Sequence, residues 1–215
     1  MRDIKNKLTA GKSTKNIQRR KGKMFGYQVL GFGSGGPGFT GMVATGGNSV
    51  TTVGNFKVHT FTSPGTFQVT CASSDPAENA VQYLIVGGGG GMGYGYGGAG
   101  GAGGYRAAGC GPSPLQASNA PTPVASYPIV VGAGGAGGPV MPVGPYSPAS
   151  KGNDSSAISL TATGGGLGAS VPGGSSGTGG PGGSGGGAGG GGAQSGSVSG
   201  GTGNQPPVSP PQGNN

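Results

Sequence analysis

Apolar and polar positions alternate with a period of two in Thr66-Phe67-Gln68-Val69-Thr70-Cys71, setting Phe67, Val69 and Cys71 on one face and Thr66, Gln68 and Thr70 on the other. In residues 56–61 the same alternation groups Phe56 with Val58, opposite Lys57 and His59. A sheet with one buried face requires this pattern. Gly54-Asn55 and Pro64-Gly65 punctuate these runs and follow another strand signal at residues 49–53, so the stretch predicts a meander of short antiparallel strands. An earlier signal, Tyr27-Gln28-Val29-Leu30, passes straight into Gly31-Phe32-Gly33-Ser34-Gly35-Gly36.

Further along, three apolar runs each lead directly into glycine: residues 80–86 into 87–104, residues 127–131 into 132–138, and residues 158–163 into 164–201. A flexible linker has no reason to begin with a strand three times. The repeat predicts strands side by side in one layer, handing their chains to a second layer of glycine. Glycine loses the most conformational freedom on folding and offers no side chain to bury, so such a layer needs backbone hydrogen bonds to hold it. Polyproline II geometry, with three residues per turn and its N–H and C=O groups pointing outward, suits that task when the side chains are absent. Collagen is excluded, since the runs Gly87 to Gly91 and Gly189 to Gly192 break its strict three-residue period. Disordered tethers are the alternative for Gly- and Ser-rich tracts; the strand-to-glycine repeat and the scarcity of charge in the tracts argue against them.

The expected architecture is mainly β with little or no α-helix: a small antiparallel, β-sandwich-like base feeding a layer of polyglycine II helices. Residues 1–23 form a basic leader, 24–86 the strand base, 87–205 the glycine region and 206–215 a Pro-rich tail that reads as shortened. Gly88 and Gly190 are the sort of central glycines where a larger residue is expected to destabilise the bundle.

Composition sharpens this outline. Of 215 residues 58 are Gly and 18 Pro, and only 7% are charged, which leaves little from which to build a conventional core. The net charge of +8 sits at one end, since residues 1–24 hold nine of the twelve basic groups and one of the four acidic ones. The neutral remainder lacks the extended basic surface that phosphate backbones need, so nucleic acid is not an expected partner. The leader admits two readings. It is a solvated arm that touches a partner, or it is an untranslated extension, because Arg19-Arg20-Lys21-Gly22-Lys23 before Met24 fits the purine-rich codons of a ribosome-binding site. No continuous apolar segment follows it, and the longest apolar run, residues 83–86, is far short of the roughly 20 residues that cross a bilayer, so neither a signal peptide nor membrane insertion is expected. Cys71 and Cys110 are too few for a disulfide scaffold and are expected to be free thiols.

Chemistry-bearing motifs are sparse. Gly31 to Gly36 matches the G-x-G-x-x-G dinucleotide pattern, yet no amphipathic helix follows and no acidic residue lies about 20 positions on. His59 is the only histidine, and its strand context reads as a half-exposed sheet position rather than a general base. Scattered carboxylates and two separated cysteines give no metal-ligand spacing. No catalytic residue, cofactor or metal is expected, and the chain does not read as an enzyme. Two stretches interrupt the glycine with stiffer residues, 105–125 and 139–153, and are expected to turn the chain at the ends of a bundle. Loops on a rigid scaffold commonly carry recognition, with aromatic and Arg anchors, so the candidate partner residues are Tyr105, Arg106, Leu115, Met141, Tyr146 and Lys151. Met92, Tyr94 and Tyr96 read either as a surface patch or as packing between the layers.

The ordered non-glycine landmarks resemble a known family. Phe25 to Gly33, Phe56-Lys57-Val58-His59-Thr60-Phe61, Pro64-Gly65-Thr66-Phe67, Tyr83-Leu84-Ile85-Val86, Gly103-Gly104-Tyr105-Arg106 and the run from Gly203 to Asn215 resemble the glycine-rich domain of marine phage structural proteins, over Met24 to the end. The resemblance implies a virion component of tail-fibre or receptor-binding type, assembled in the host cytoplasm. Its implied partners are other virion proteins and a bacterial surface receptor, with a trimer the natural oligomer. It also supplies a fold analogy with phage adhesins whose polyglycine II core carries receptor-touching loops, although no loop motif is shared. Similar sequences begin near the equivalent of Met24 and continue beyond Asn215. The leading expectation is a non-enzymatic adhesin-like module; the alternative is a purely structural capsid-decoration or tail protein that binds only its virion neighbours.

Overall fold

The computed structural model describes residues 41–139, 147–171, 176–190 and 198–215. The leader, the 27–30 strand signal, the 31–36 motif, Met141 and Tyr146 lie outside these residues. In chain order the described strands are β1 (Val43–Thr45), β2 (Ser49–Val53), β3 (Phe56–Thr60), β4 (Gly65–Cys71), β5 (Ala80–Val81), β6 (Tyr83–Val86), β7 (Tyr105–Ala108), β8 (Gln116–Ala117), β9 (Ala120–Pro121), β10 (Ala125–Ile129), β11 (Ser155–Ala157), β12 (Leu160–Ala162), β13 (Ser176–Gly177) and β14 (Gly189–Gly190). One 3-10 turn, Pro76–Glu78, is capped by the Asp75 carboxylate accepting from Ala77 N–H.

The fold is mainly β, with small sheets ordered β1-β4-β10 and β6-β7-β8 and the two-stranded pairs β2-β3, β5-β9, β11-β12 and β13-β14. All pair antiparallel except β7 with β8. The alternation in β4 works as predicted for Phe67 and Val69, which are buried with Ile129 of β10; Cys71, at the strand's end, is exposed. A second core joins Tyr83 and Ile85 of β6 to Ala108, Ala120 and Ala162. Both cysteines are free and exposed.

The β2-β3 hairpin forms as the pattern predicts, but its apolar face is not the covered one. Val53 stands opposite Phe56 and Thr51 opposite Val58, and Val53, Phe56 and Val58 are 63%, 60% and 42% exposed. The opposite face holds the contact with the body, through the His59 ring set edge-on against Phe67 at 5.2 Å. His59 Nδ1 donates to the Gly46 carbonyl at 2.7 Å. Asn48 pins the open end, its carboxamide oxygen accepting from Thr62 and Ser63 N–H. Alternation separates two faces; the tertiary setting decides which is buried.

The glycine layer is an ordered bundle. From β6 the chain leaves through residues 87–93, reverses, and returns through 98–104 into β7; from β10 it leaves through 132–138 and returns through 149–153 into β11; from β12 it leaves through 163–171. The hydrogen bonds repeat every third residue, where a strand would repeat every second. Gly87, Gly90 and Gly93 N–H donate to the carbonyls of Gly104, Gly101 and Gly98 at 2.9, 2.8 and 2.9 Å. On another side, Gly88 and Gly91 N–H donate to Asn153 and Ser150, while their own carbonyls accept from Gly165 and Gly168. On a third, the carbonyls of Gly89 and Met92 accept from Gly135 and Gly138 at 2.8 Å. One run thus bonds to four neighbouring runs with a three-residue repeat, which is the hydrogen-bonding of packed polyglycine II helices. Each bond contributes about 1 kcal/mol net, and their density offsets the entropy lost by ordering glycine.

Space, rather than backbone freedom, is what demands glycine in this layer. A Cβ on Gly88 would fall inside the carbonyl of Ala133, on Gly91 inside that of Ala136, and on Gly93 inside that of Ala169. Among the described glycines of this layer a positive φ occurs at the reversal, where Gly95 sits at +70°. Gly134 and Gly137 are different, since a Cβ there would meet Gly89 O or Met92 O at 3.6 Å, an ordinary contact, with no positive φ. Gly134→Ala and Gly137→Ala should therefore stay within about 0.5 kcal/mol of the parent, or gain slightly from a less flexible unfolded chain. Thermal denaturation checks this.

Candidate functional site

The bundle has two ends. One is continuous with the strands; at the other, the chain reverses between residues 93 and 98, and four stretches meet. Gly93 N–H closes the reversal on Gly98 C=O at 2.9 Å. Tyr94 is held at both backbone groups, its N–H donating to Ser170 Oγ at 3.1 Å and its carbonyl accepting from Val171 N–H at 2.9 Å. Ser170 Oγ also accepts from Ala149 N–H at 3.3 Å, so one hydroxyl joins three passes of the chain. Val171 bridges Gly95 and is fully buried beneath the turn. Gly189 lies against Val171 and the Tyr96 carbonyl, where a Cβ would overlap the Val171 side chain.

On this frame Met92 and Tyr96 are 55% and 60% exposed, while Tyr94 is half-buried. Of the two readings open for these residues, Met92 and Tyr96 are surface and Tyr94 is partly packing. The described residues that meet here, 92–98, 138, 149, 169–171 and 189, include no Asp, Glu, Lys, Arg or His. The keystone pair Ser170-Val171 was missed by sequence reasoning, although a hydroxyl followed by a β-branched residue closing a run of Gly, Ala and Leu was its signal.

The candidate residues from the sequence do not gather in one place. Tyr105 and Arg106 belong to β7 in the strand base, paired with Val86 and Ile85, so the 105–125 stretch is not a bundle-end turn but carries β7, β8 and β9. Small Ala107 and Ala108 fit beneath neighbouring strands and draw this segment into the sheet, where both are buried. Arg106 Nη1 reaches Thr161 O at 3.5 Å across that base. Leu115 is half-buried in a turn closed by its N–H on Pro112 O. Lys151 is exposed beside Ser150, Gly152 and Asn153, which are bonded into the bundle, so the second stretch also contributes bundle rather than loop at its end. Among the described residues no group of three His, Cys, Asp or Glu side chains is placed to hold a metal ion, and no helix is long and apolar enough to cross a membrane.

A layer of short strands feeding backbone-bonded glycine helices defines a glycine-rich domain. Residues 61–215 match the family model described as a glycine-rich domain, and the chain belongs to that family. Neither the curated proteins nor the solved structures yield a match to it.

Proposed function

We propose that this chain is a non-enzymatic surface protein of a bacteriophage particle, an adhesin-like module of tail-fibre or receptor-binding type. The observation that carries the reading is the distal turn: a backbone-bonded bundle fixes Tyr94 at both its amide and carbonyl and presents Tyr96 to solvent. Preorganised aromatic side chains are effective recognition groups because little entropy is lost when they bind. The phage origin rests on the landmark resemblance from residue 24 onward. Host surface receptor and neighbouring virion proteins are the partners it implies, with a trimer as the assembly.

A second reading, a structural particle component that binds only other virion proteins, is favoured by one observation, the uncovered Val53-Phe56-Val58 face of the hairpin. A two-stranded hairpin is marginal by itself and gains from a third partner. Antibodies against the chain and adsorption assays separate the two. Labelling of fibres, with adsorption slowed by added purified chain, is the expected outcome. Labelled particles whose adsorption is unchanged select the structural reading, and particles that never label overturn both.

A further inference from the structure

Residues three apart along a polyglycine II helix point their N–H and C=O groups alike, so each run carries three rows of backbone groups. In the run 132–138 two of these rows are bonded. The carbonyls of Ala133 and Ala136 accept from Asn153 and Ser150 N–H, and the N–H groups of Gly135 and Gly138 donate to Gly89 and Met92. The third row, Gly134 and Gly137, is exposed and makes no hydrogen bond with any described residue. No described part of the chain demands glycine there either, since a Cβ would meet an ordinary contact at 3.6 Å and φ is not positive. Inside the bundle, glycine is demanded where another backbone comes close, as at Gly88 against Ala133.

We infer that the Gly134-Gly137 row packs against the same run of another copy of this chain, carrying the glycine lattice from one molecule into the next. The inference stands apart from the particle reading. Three observations select a second copy as the occupant. First, each glycine of the row offers one N–H and one C=O, so the row is complementary to itself. Second, runs here bond in both senses: 87–93 pairs antiparallel with 98–104 and parallel with 132–138. Two copies about a two-fold axis, or three about a three-fold axis, can therefore close. Third, the occupant must be a nearly side-chain-free backbone with a three-residue repeat, which is what this chain itself displays, and residues 132–138 carry no charge to repel their own copy. The neighbouring run makes the contrast. Pro148 and Lys151, exposed at the same spacing, present a missing N–H and a charge, the devices that keep a backbone edge from pairing. The Gly134-Gly137 row has no such guard.

The run is short beside a standard interface, so association should depend on concentration. The purified full chain is followed by sedimentation velocity, and its amide exchange by NMR, in dilute and in concentrated solution. A dimer or trimer that grows with concentration is expected. The Gly134 and Gly137 amides should exchange at once in dilute protein and about tenfold or more slowly in concentrated protein. Gly137→Lys should weaken association by about tenfold or more. The double variant Gly134→Ala with Gly137→Ala, expected to fold normally, should weaken it as well, while Val53→Lys on the exposed hairpin face should leave it unchanged. Melting temperatures in dilute solution certify folding, and the alanine pair carries the test if the lysine variant is unstable. A chain that stays monomeric when concentrated, amides at 134 and 137 that exchange equally fast in both solutions, or association untouched by the glycine substitutions overturns the inference. Association lost in Val53→Lys and kept in Gly137→Lys overturns it too, by moving the contact to the hairpin.

Discussion

Replacing Gly88 by valine should lower the melting temperature by roughly 10 °C, while the same change at Gly190 should move it by no more than about 2 °C. The two glycines look alike along the chain, each lying in a run of glycines. Their surroundings differ completely. Gly88 is buried; a Cβ there collides with the Ala133 carbonyl, and its own amide and carbonyl are bonded to Asn153 and Gly165. Admitting a side chain pushes the 132–138 run away and strains both bonds, an overpacking cost of about 1–3 kcal/mol plus roughly 1 kcal/mol for each bond lost. Gly190 ends the short strand β14, is exposed, and has nothing within 4 Å of the place a Cβ would take. The sequence-based expectation that Gly190 is a central glycine is therefore corrected. Equal responses at the two positions, or none at Gly88, would show that exclusion of side chains is not what holds the layer.

This contrast also marks where the sequence stops being informative. Strand periodicity located Phe67 and Val69 in the core because a period of two has a direct geometric meaning in a strand. The three exits from strand into glycine were legible for the same reason: a β-branched run that ends abruptly marks where the sheet ends. A run of glycines carries no comparable phase. Which run bonds to which is set by carbonyls and amides that every residue has, so the pairing of 87–93 with 98–104, 150–153, 165–168 and 135–138 left no trace in residue type. The burial sense of the β2-β3 hairpin was hidden because alternation defines faces without saying what lies over them. The 105–108 strand was hidden because Tyr-Arg-Ala-Ala shows too little contrast to alternate. At the candidate site, the aromatic residues of 92–96 were visible, but their convergence with Ser170 and Val171, 76 residues further on, is a tertiary fact.

Gln212→Glu should destabilise the protein by roughly 2–4 kcal/mol at neutral pH and by much less in acid. The Pro-rich stretch containing it reads in sequence as a tail, yet it is folded back onto the bundle. Asn204, at φ 50°, accepts with its side-chain oxygen from the N–H groups of Val208 and Gln212, closing a loop. Gln212 is then 2% exposed, and its carboxamide faces three groups. Its oxygen accepts from Thr163 N–H at 2.8 Å, and its NH2 donates to Thr163 Oγ1 at 3.0 Å and to Pro206 O at 3.1 Å. Its backbone carbonyl accepts from Tyr105 N–H at 2.8 Å, so one residue ties the exit of β12 to the entry of β7. A carboxylate of the same shape keeps the bond from Thr163 N–H and loses the donor: an oxygen then opposes the Pro206 carbonyl, and a charge is buried. Protonation restores one O–H donor. Burial raises the folded-state pKa of this carboxyl above its unfolded value, so the native state takes up the proton first. Stability relative to the parent is therefore regained as pH falls through the folded value and lost as it rises. Gln212→Leu, which leaves Thr163 N–H without a partner, should be destabilised by a similar amount at every pH. Melting temperatures of both variants and the parent across the acid range decide the matter. A Gln212→Glu deficit that does not shrink in acid would mean that the carboxamide's donor role is not what secures the 206–215 loop.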